Sequence, residues 1–358
     1  MNPAKRILIY RLGSLGDTVV ALPCFHLIRR AFPSAHISIL TNRPVQAKAA
    51  PLTSVLANSG LFDQALDYPI ELRHFGEISK LRHRLRAGKF DLVIHLSAAR
   101  GLWKSVRDYS FFRWCGIPKI IGIPFRREDL QVVQTEGGLY EAESVRLTRR
   151  LRHLGEVNLG DSNSWDLRLT PEEKSEAGRL LGKTEIVSPF IAISLGTKLS
   201  VKDWTPENWK LLLTQLSNFY PRLSILALGA EDERGMVDSS LALWKGTAAN
   251  LCGKTSPRVS AAILEKAALF VGHDSGPMHL AAAVGTPCVA LFAAHAARGQ
   301  WFPRGERNRI LVAEKLCSAC SASACRQINR KCILSITVAE VLETIKEQLA
   351  SLSLAATS

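Results

Sequence analysis

The stretch from Leu269 to Phe292, LFVGHDSGPMHLAAAVGTPCVALF, contains the residues best suited to chemistry. An apolar run enters a polar turn, and a helix of small residues and a second apolar run follow, which is the pattern of a βαβ unit. Asp274, Ser275 and Gly276 place backbone N–H groups and a hydroxyl at the start of this helix, where the helix dipole favours an anion. His279 lies in the first turn, within reach of the same anion. The pattern predicts a phosphate site, and the alternative is a tight strand-to-helix connection capped by Asp274.

A second strand, glycine-containing loop and helix open the chain. Arg6 to Tyr10 (RILIY) predicts a buried parallel strand, and the sequence RLGSLGD follows it. Gly13 and Gly16 suit a tight turn or a close approach to a ligand. The spacing lacks the third glycine of a dinucleotide fingerprint and the lysine of a P-loop, which disfavours nicotinamide or ATP binding. Asp17 is either a helix cap or a carboxylate at the edge of the sheet where ligands of α/β folds bind.

Two further loops follow predicted strands. The loop GTKLSVKDW, after the strand at 191–195, carries Thr197, Lys198 and Lys202 and suits a diphosphate, although surface lysines are usually only solvated. Glu233 follows the strand that ends LALG, where a carboxylate binds ribose hydroxyls or caps the next helix.

Alternating apolar runs and helical patterns predict the elements that carry these loops. Apolar runs at 6–10, 36–40, 91–96 and 119–123 alternate with helical patterns at 18–32, 44–58, 75–87 and 141–154. A second series has apolar runs at 191–195, 223–228, 248–252, 269–272 and 287–292. We therefore predict an α/β protein with two doubly wound Rossmann-like domains that face a cleft. The predicted boundaries are 1–170 for the first domain, 171–189 for a linker region, 190–336 for the second domain and 337–358 for a C-terminal helix and tail.

The charge of the chain is strongly positive and unevenly distributed. The formal net charge is +14, and residues 1–160 hold 24 Lys and Arg against 13 Asp and Glu. Such an excess favours an anionic partner, because Arg side chains suit phosphates and carboxylates. Nucleic acid is disfavoured, since no helix-turn-helix, RNP or zinc-finger pattern is present. An acidic glycolipid head group, or the anionic membrane that carries it, fits better.

The hydropathy pattern predicts a cytoplasmic protein. No window reaches the roughly 20 apolar residues that span a bilayer, and no secretory signal precedes the first strand. The aromatic stretch from Trp103 to Trp114, with interspersed Lys and Arg, suits a peripheral position at a membrane surface. We expect core packing of these aromatics instead, because aromatic side chains usually bury their area.

Eight cysteines are present, and four of them are clustered. Cys317, Cys320, Cys325 and Cys332 are able to hold one structural Zn²⁺, although the usual pattern has two CxxC pairs and this cluster has one. Free thiols are the alternative. The remaining cysteines lie singly in apolar surroundings and are expected to be core thiols. They are Cys24, Cys115, Cys252 and Cys288.

Taken together, these motifs resemble glycosyltransferase family 9, the ADP-heptose:lipopolysaccharide heptosyltransferases. The resemblance covers nearly the whole chain, from RILIYRLGSLGD through HLSAARGLWKS and GTKLSVKDW to GHDSGPMHLAAAVGTPCVALF. It implies a two-domain GT-B fold and inverting transfer of heptose from ADP-heptose to an anionic lipopolysaccharide core at the inner membrane surface. It also implies that catalysis requires no cofactor.

The resemblance assigns roles to particular residues. It makes Asp17 the catalytic base, Gly13, Ser14 and Lys104 acceptor-binding residues, and Glu233 the ribose-binding carboxylate. It makes Lys202 the diphosphate lysine and assigns the sugar-donor loop to Asp274, Ser275, Gly276 and His279. Thr197 and Lys198 fall where the family often has two hydroxyl residues, so Lys198 departs from the pattern. The alternatives are a transferase that uses another nucleotide sugar, and a non-catalytic lipopolysaccharide-binding protein.

Overall fold

A computed structural model of the chain describes residues 4–43, 50–69, 74–294, 297–314 and 332–357. The chain divides into two compact units, unit 1 from Met1 to Arg168 and unit 2 from Leu169 to Ser358. Each unit contains a parallel sheet with helices between its strands, so the predicted α/β class with two doubly wound sheets is confirmed.

Unit 1 has a parallel sheet in the strand order β3-β2-β1-β4-β5. Its strands are β1 (Arg6–Tyr10), β2 (His36–Arg43), β3 (Gln64–Pro69), β4 (Leu92–His95) and β5 (Lys119–Ile121). Its helices are α1 (Leu15–Val20), α2 (Leu22–Ala31), α3 (Leu52–Leu56), α4 (Phe75–Ala87), α5 (Leu102–Trp114), α6 (Arg127–Leu130) and α7 (Glu143–Arg149). Short 3₁₀ turns at Arg152–Leu154 and Ser162–Trp165 follow.

The central strand β1 is buried on both faces. Leu8 and Tyr10 pack with Leu85 of α4 and Phe112 of α5 in one hydrophobic cluster. The alternate residues of β1 face the opposite side of the sheet and are also buried. Burial on both faces explains why β1 is apolar from Ile7 to Tyr10. The loop after Tyr10 lies at the carboxyl edge of this sheet, where ligands of open α/β folds bind.

Unit 2 has a parallel sheet in the order β11-β10-β9-β6-β7-β8. Its strands are β6 (Phe190–Ser194), β7 (Ser224–Ala227), β8 (Ala248–Asn250), β9 (Leu269–His273), β10 (Cys288–Phe292) and β11 (Arg309–Val312). Its helices are α8 (Pro171–Gly182), α9 (Pro206–Phe219), α10 (Arg234–Leu241), α11 (Pro257–Leu264), α12 (Gly276–Ala283) and α13 (Val338–Thr357).

Two helices of unit 2 lie near the predicted domain boundaries. Helix α8 occupies most of the segment 171–189 and packs against α11. Thr170 and Glu173 form a capping box at its start, with the Thr170 N–H 2.9 Å from Glu173 Oε2. Helix α13 packs against α9, β10 and β11, and Val341 and Ile345 enter the core cluster of unit 2.

The expectation that the aromatics from Trp103 to Trp114 pack in the core was wrong for most of them. Helix α5 buries Phe112 but exposes 81% of Trp103, 41% of Tyr109 and 45% of Trp114. A single face of α5 is buried, and Ser105 and Asp108 occupy it together with Phe112, so the other aromatic residues fall outside that face. Across the described ranges, no helix combines the length and the apolar character needed to cross a membrane.

Candidate active site

The turn between β9 and α12 presents an unpaired polar group. Ser275 is extended at the N-cap of α12, and its Oγ is buried with no hydrogen-bond partner among the described residues. The eight-residue helix directs its free N–H groups and the positive end of its dipole toward this position. A buried hydroxyl without a partner is unfavourable unless a ligand supplies the missing hydrogen bond. The turn therefore has the features of an anion site.

Lys202 lies beside this turn. Its Nζ is 2.5 Å from Asp274 Oδ2 and 3.4 Å from the Asp274 carbonyl oxygen. The two side chains are 17% and 8% exposed, respectively. The structure therefore brings Lys202 and Asp274 together as a partly buried ion pair, which fixes the ammonium group next to the start of α12.

A buried histidine holds the Lys202 loop in place. His273, the last residue of β9, accepts a hydrogen bond on Nε2 from the Trp204 N–H at 3.2 Å. Burial lowers the pKa of His273 to about 4, so the imidazole is neutral and able to accept. The Trp204 indole in turn donates to the Ile336 carbonyl at 2.7 Å. Sequence reasoning missed His273, although a histidine that ends an otherwise apolar strand was a visible signal.

Glu233 lies across the ends of β6 and β7. A Cβ added at Gly196 would be 1.8 Å from Glu233 Oε1, and one added at Gly229 would be 2.2 Å from Oε2. The Ala230 N–H also donates to Oε2 at 3.1 Å. The two glycines therefore make room for a carboxylate at the carboxyl edge of this sheet.

The remaining sugar-donor candidates differ in their surroundings. Thr197 turns its hydroxyl toward its own loop, 3.5 Å from the Leu199 carbonyl, and Lys198 is exposed. His279 is buried in the first turn of α12, with its ring 6.4 Å from that of Trp301.

In unit 1, Asp17 lies in the first turn of α1. Its Oδ2 accepts hydrogen bonds from the Ser14 N–H at 2.8 Å and the Ser14 Oγ at 3.1 Å. Its Oδ1 takes no hydrogen bond from the part of the chain that the structure describes. Gly13 has a φ of +127°, and a Cβ added there would lie 2.5 Å from the Asp17 Cβ. Asp17 thus caps the helix through one oxygen and keeps the other available, while Gly13 leaves room for its side chain.

A buried arginine fixes the backbone beneath Asp17. Arg11 is 1% exposed, and its guanidinium donates to the Leu96 carbonyl at 2.5 Å and to the Asp17 carbonyl. Arg150, also buried, donates through both Nη atoms to the Ser97 carbonyl at 3.1 Å. Sequence reasoning missed both arginines, because contacts to backbone carbonyls leave no spacing signal.

A polar network lies at the ends of β1, β3 and β4. Asp108 Oδ2 is 3.2 Å from His95 Nε2 and 3.0 Å from Arg100 Nη2, and Asp108 Oδ1 is 2.6 Å from Arg107 Nη2. Burial raises the pKa of Asp108, but the hydrogen bonds from His95 and Arg107 outweigh it and hold that pKa below its usual value. Asp108 therefore stays ionised and positions Arg100, whose side chain is 31% exposed.

Two hydroxyls belong to the same edge, since Tyr10 Oη lies 3.1 Å from Tyr68 Oη. Burial raises the pKa of Tyr10, so its hydroxyl stays protonated. Lys104 lies on the exposed side of α5, and no polar contact joins it to this network within the described residues.

The zinc hypothesis gains no support from the described residues. Cys317, Cys320 and Cys325 lie outside them. Cys332 is buried, and its Sγ accepts a hydrogen bond from the Ala294 N–H at 3.2 Å. Among the residues that the structure describes, no group of three His, Cys, Asp or Glu side chains is placed to hold a metal ion. The expectation of four buried core thiols is confirmed for Cys24, Cys115, Cys252 and Cys288.

Comparison with known proteins relates this chain to glycosyl transferases. The sequence model of glycosyltransferase family 9 (heptosyltransferase) matches residues 78–330. A curated relative, the lipopolysaccharide core heptosyltransferase OpsX of Haemophilus influenzae, is 26% identical, and the match covers 81% of this chain and 80% of that protein.

Solved structures share the fold. A glycosyl transferase family 9 structure from Veillonella parvula has a TM-score of 0.73 at 17% identity, covering 97% of this chain and 98% of that one. The ADP-heptose lipopolysaccharide heptosyltransferase II of E. coli has a TM-score of 0.67 at 18% identity, covering 99% and 100%.

Proposed function

This chain belongs to glycosyltransferase family 9, the heptosyltransferases, and on that premise we propose that it transfers heptose from ADP-heptose to the inner core of lipopolysaccharide. The transfer inverts the anomeric carbon. The expected fold for this reaction is the two-domain GT-B type, in which unit 2 binds the nucleotide sugar and unit 1 supplies the base.

The observation that carries the proposal is the unpartnered Ser275 hydroxyl beside Lys202 at the start of α12. In the proposed complex, Ser275, Gly276 and the helix N-terminus bind the diphosphate of the sugar donor. Lys202 stabilises the negative charge that builds on this diphosphate as it leaves. Glu233 binds the ribose hydroxyls, and Thr197, Lys198, Asp274 and His279 complete this side of the site.

Asp17 is the proposed general base. The acceptor hydroxyl oxygen forms a bond to the anomeric carbon while the bond from that carbon to the diphosphate oxygen breaks. ADP leaves with the electron pair, and the acceptor proton passes to the Asp17 carboxylate. Oδ1 is the oxygen suited to this role, because Oδ2 already accepts two hydrogen bonds from Ser14.

The acceptor side of the proposal rests on positive charge. Gly13, Ser14 and Lys104 are the acceptor-binding candidates from the sequence, and Arg100 joins them because Asp108 orients its partly exposed guanidinium at the same sheet edge. Guanidinium and ammonium groups suit the acidic groups of a lipopolysaccharide core. A lipid-linked acceptor implies a cytoplasmic enzyme that works at the inner membrane surface.

Calorimetric titration with ADP-heptose, beside UDP- and GDP-sugars, tests the function. Deep-rough lipopolysaccharide is then added and ADP release is measured. We expect selective binding of ADP-heptose and ADP release that depends on the acceptor. Selective binding of another nucleotide sugar would indicate a different transferase, and acceptor binding without any turnover would indicate a non-catalytic lipopolysaccharide-binding protein.

Replacing Gly13 by alanine tests whether turnover depends on the position of the Asp17 side chain. The new Cβ would lie 2.5 Å from the Asp17 Cβ, so the carboxylate must shift. Because small displacements of a reacting group are strongly felt, we expect turnover with ADP-heptose to fall by about tenfold or more. Gly116→Ala is the matched control, since Gly116 also has a positive φ, +85°, but no neighbouring atom within 4 Å. Equal losses of turnover in the two variants would attribute the effect to backbone strain alone.

A further inference from the structure

Helix α5 exposes an apolar and aromatic face. Its exposed fractions are 53% for Leu102, 81% for Trp103, 41% for Val106 and 41% for Tyr109. Large apolar side chains are usually buried, so a cluster of them on one helix marks an interaction site. We call these four side chains the α5 face.

The α5 face is one continuous part of the helix surface, beside the buried side. Ser105, Asp108 and Phe112 are the buried residues of α5, and they recur at intervals of three and four, which defines the side that packs on unit 1. The α5 face occupies the arc next to that buried side, with Trp103 farthest from it. Phe125 extends the surface, because it is 44% exposed and its ring lies 5.9 Å from that of Tyr109.

Cations surround the α5 face. Lys104, Arg107 and Arg113 are exposed on the same helix, and Arg126 is exposed beside Phe125. The only acidic residue of α5 is Asp108, which is buried against His95 and Arg100. The helix therefore presents aromatic side chains and positive charge to solvent, without an exposed carboxylate of its own.

We propose that the α5 face docks the protein on an anionic phospholipid bilayer. Trp and Tyr rings favour the interface between lipid head groups and acyl chains, and nearby Lys and Arg are attracted to anionic lipid. A second copy of the chain is a poorer occupant, because a symmetric contact would place these cations against the same cations of the partner copy. The inference rests on the proposed function and deepens it, because an enzyme with a lipid-linked acceptor works at a bilayer.

Sedimentation of the full-length protein with acceptor-free vesicles tests this inference. One vesicle type contains equal amounts of phosphatidylethanolamine and phosphatidylglycerol, and the other contains phosphatidylcholine alone. We expect binding to the anionic vesicles that weakens with added salt, because the attraction to surface charge is screened.

The test variant is L102S/W103S, which removes the two most exposed members of the α5 face. Burial of these side chains at the lipid interface contributes strongly to vesicle binding, so we expect the affinity of the variant for anionic vesicles to fall by about tenfold or more. The matched control is L211S/L243S in unit 2, where the two leucines are 48% and 54% exposed. The control should bind as the unchanged protein does, and thermal unfolding should be the same for all three.

Several results would overturn the inference. They are absence of binding to anionic vesicles, equal binding by L102S/W103S and the unchanged protein, and a dimer that dissociates only in L102S/W103S while vesicle binding is absent.

ADP release with a delipidated, water-soluble acceptor separates the two proposals. We expect L102S/W103S to retain ADP release with this acceptor. If the unchanged protein bound vesicles but released no ADP, the proposed function would be rejected and the docking surface would stand.

Discussion

Replacing Asp17 by asparagine is expected to lower the turnover number by about 10²-fold or more, the scale usual for loss of a general base. The amide has nearly the same size and its oxygen still accepts the hydrogen bonds from Ser14, but it does not accept a proton from the acceptor. The affinity for ADP-heptose should stay the same, because the proposed sugar-donor residues belong to unit 2. Steady-state ADP release and calorimetric titration measure the two quantities.

The control for this variant addresses the capping role of Asp17. Asp161 also caps a short helical turn in unit 1, where it accepts the Asn163 N–H at 2.9 Å. Asp161→Asn should leave turnover unchanged. If Asp17→Asn retained full turnover, Asp17 would have no part in proton transfer. If turnover and the unfolding temperature fell together, the carboxylate would be required for folding of α1.

Replacing Lys202 by alanine is expected to weaken ADP-heptose binding by roughly 10²-fold. A hydrogen bond to a charged group contributes about 1.5–3 kcal/mol, and each factor of ten in affinity is about 1.4 kcal/mol. The loss should lie at the upper end of that range, because the Asp274 carboxylate, 8% exposed, loses its partner and then repels the diphosphate. Titration with ADP-heptose and with ADP gives the affinities.

A double-mutant cycle separates the two effects of Lys202→Ala. If repulsion by Asp274 contributes, Lys202→Ala with Asp274→Asn should bind ADP-heptose more tightly than Lys202→Ala alone. Lys174→Ala is the matched control, since Lys174 forms an exposed ion pair with Glu265 at 3.0 Å in the same unit. Unchanged affinity in Lys202→Ala would show that this loop is merely solvated.

The central strands were predictable from the sequence and two outer strands were not. The run at 6–10 matches β1 to the residue, because Ile7 to Tyr10 are buried on both faces of the sheet and form an apolar run. β3 was missed, since it lies at the edge of its sheet with most side chains exposed and therefore has no apolar run. β11, the edge strand of unit 2, was also missed, although three of its four residues are apolar and only Arg309 is exposed.

The accuracy of the predicted helix boundaries differed from one helix to the next. The pattern at 75–87 gave α4 with both ends correct. The pattern at 18–32 corresponds to two helices, because the chain bends at Ala21, ahead of Pro23 in the first turn of α2. Only Leu52–Leu56 of the predicted helix at 44–58 is helical among described residues, and 44–49 lie outside them.

The candidate site was predictable where residues act through a local motif. Ser275 and Asp274 follow a strand and precede a helix, so sequence order alone places them at the start of α12, where we predict an anion site. The pairing of Lys202 with Asp274 required the fold, because the loops after β6 and β9 meet only when these strands are neighbours in the sheet. The Asp108 network was missed for a similar reason, since it joins β4 to α5.

Arg11 has a consequence for how acceptor preference diversifies. Its guanidinium joins the start of α1 to the end of β4 through the carbonyls of Asp17 and Leu96, and not through any side chain. Every amino acid has a carbonyl, so the segment after β4 is free to change its side chains without releasing the backbone that holds Asp17. Side chains of that segment can thus be exchanged, in nature or by grafting, while the position of Asp17, the proposed base, is inherited intact.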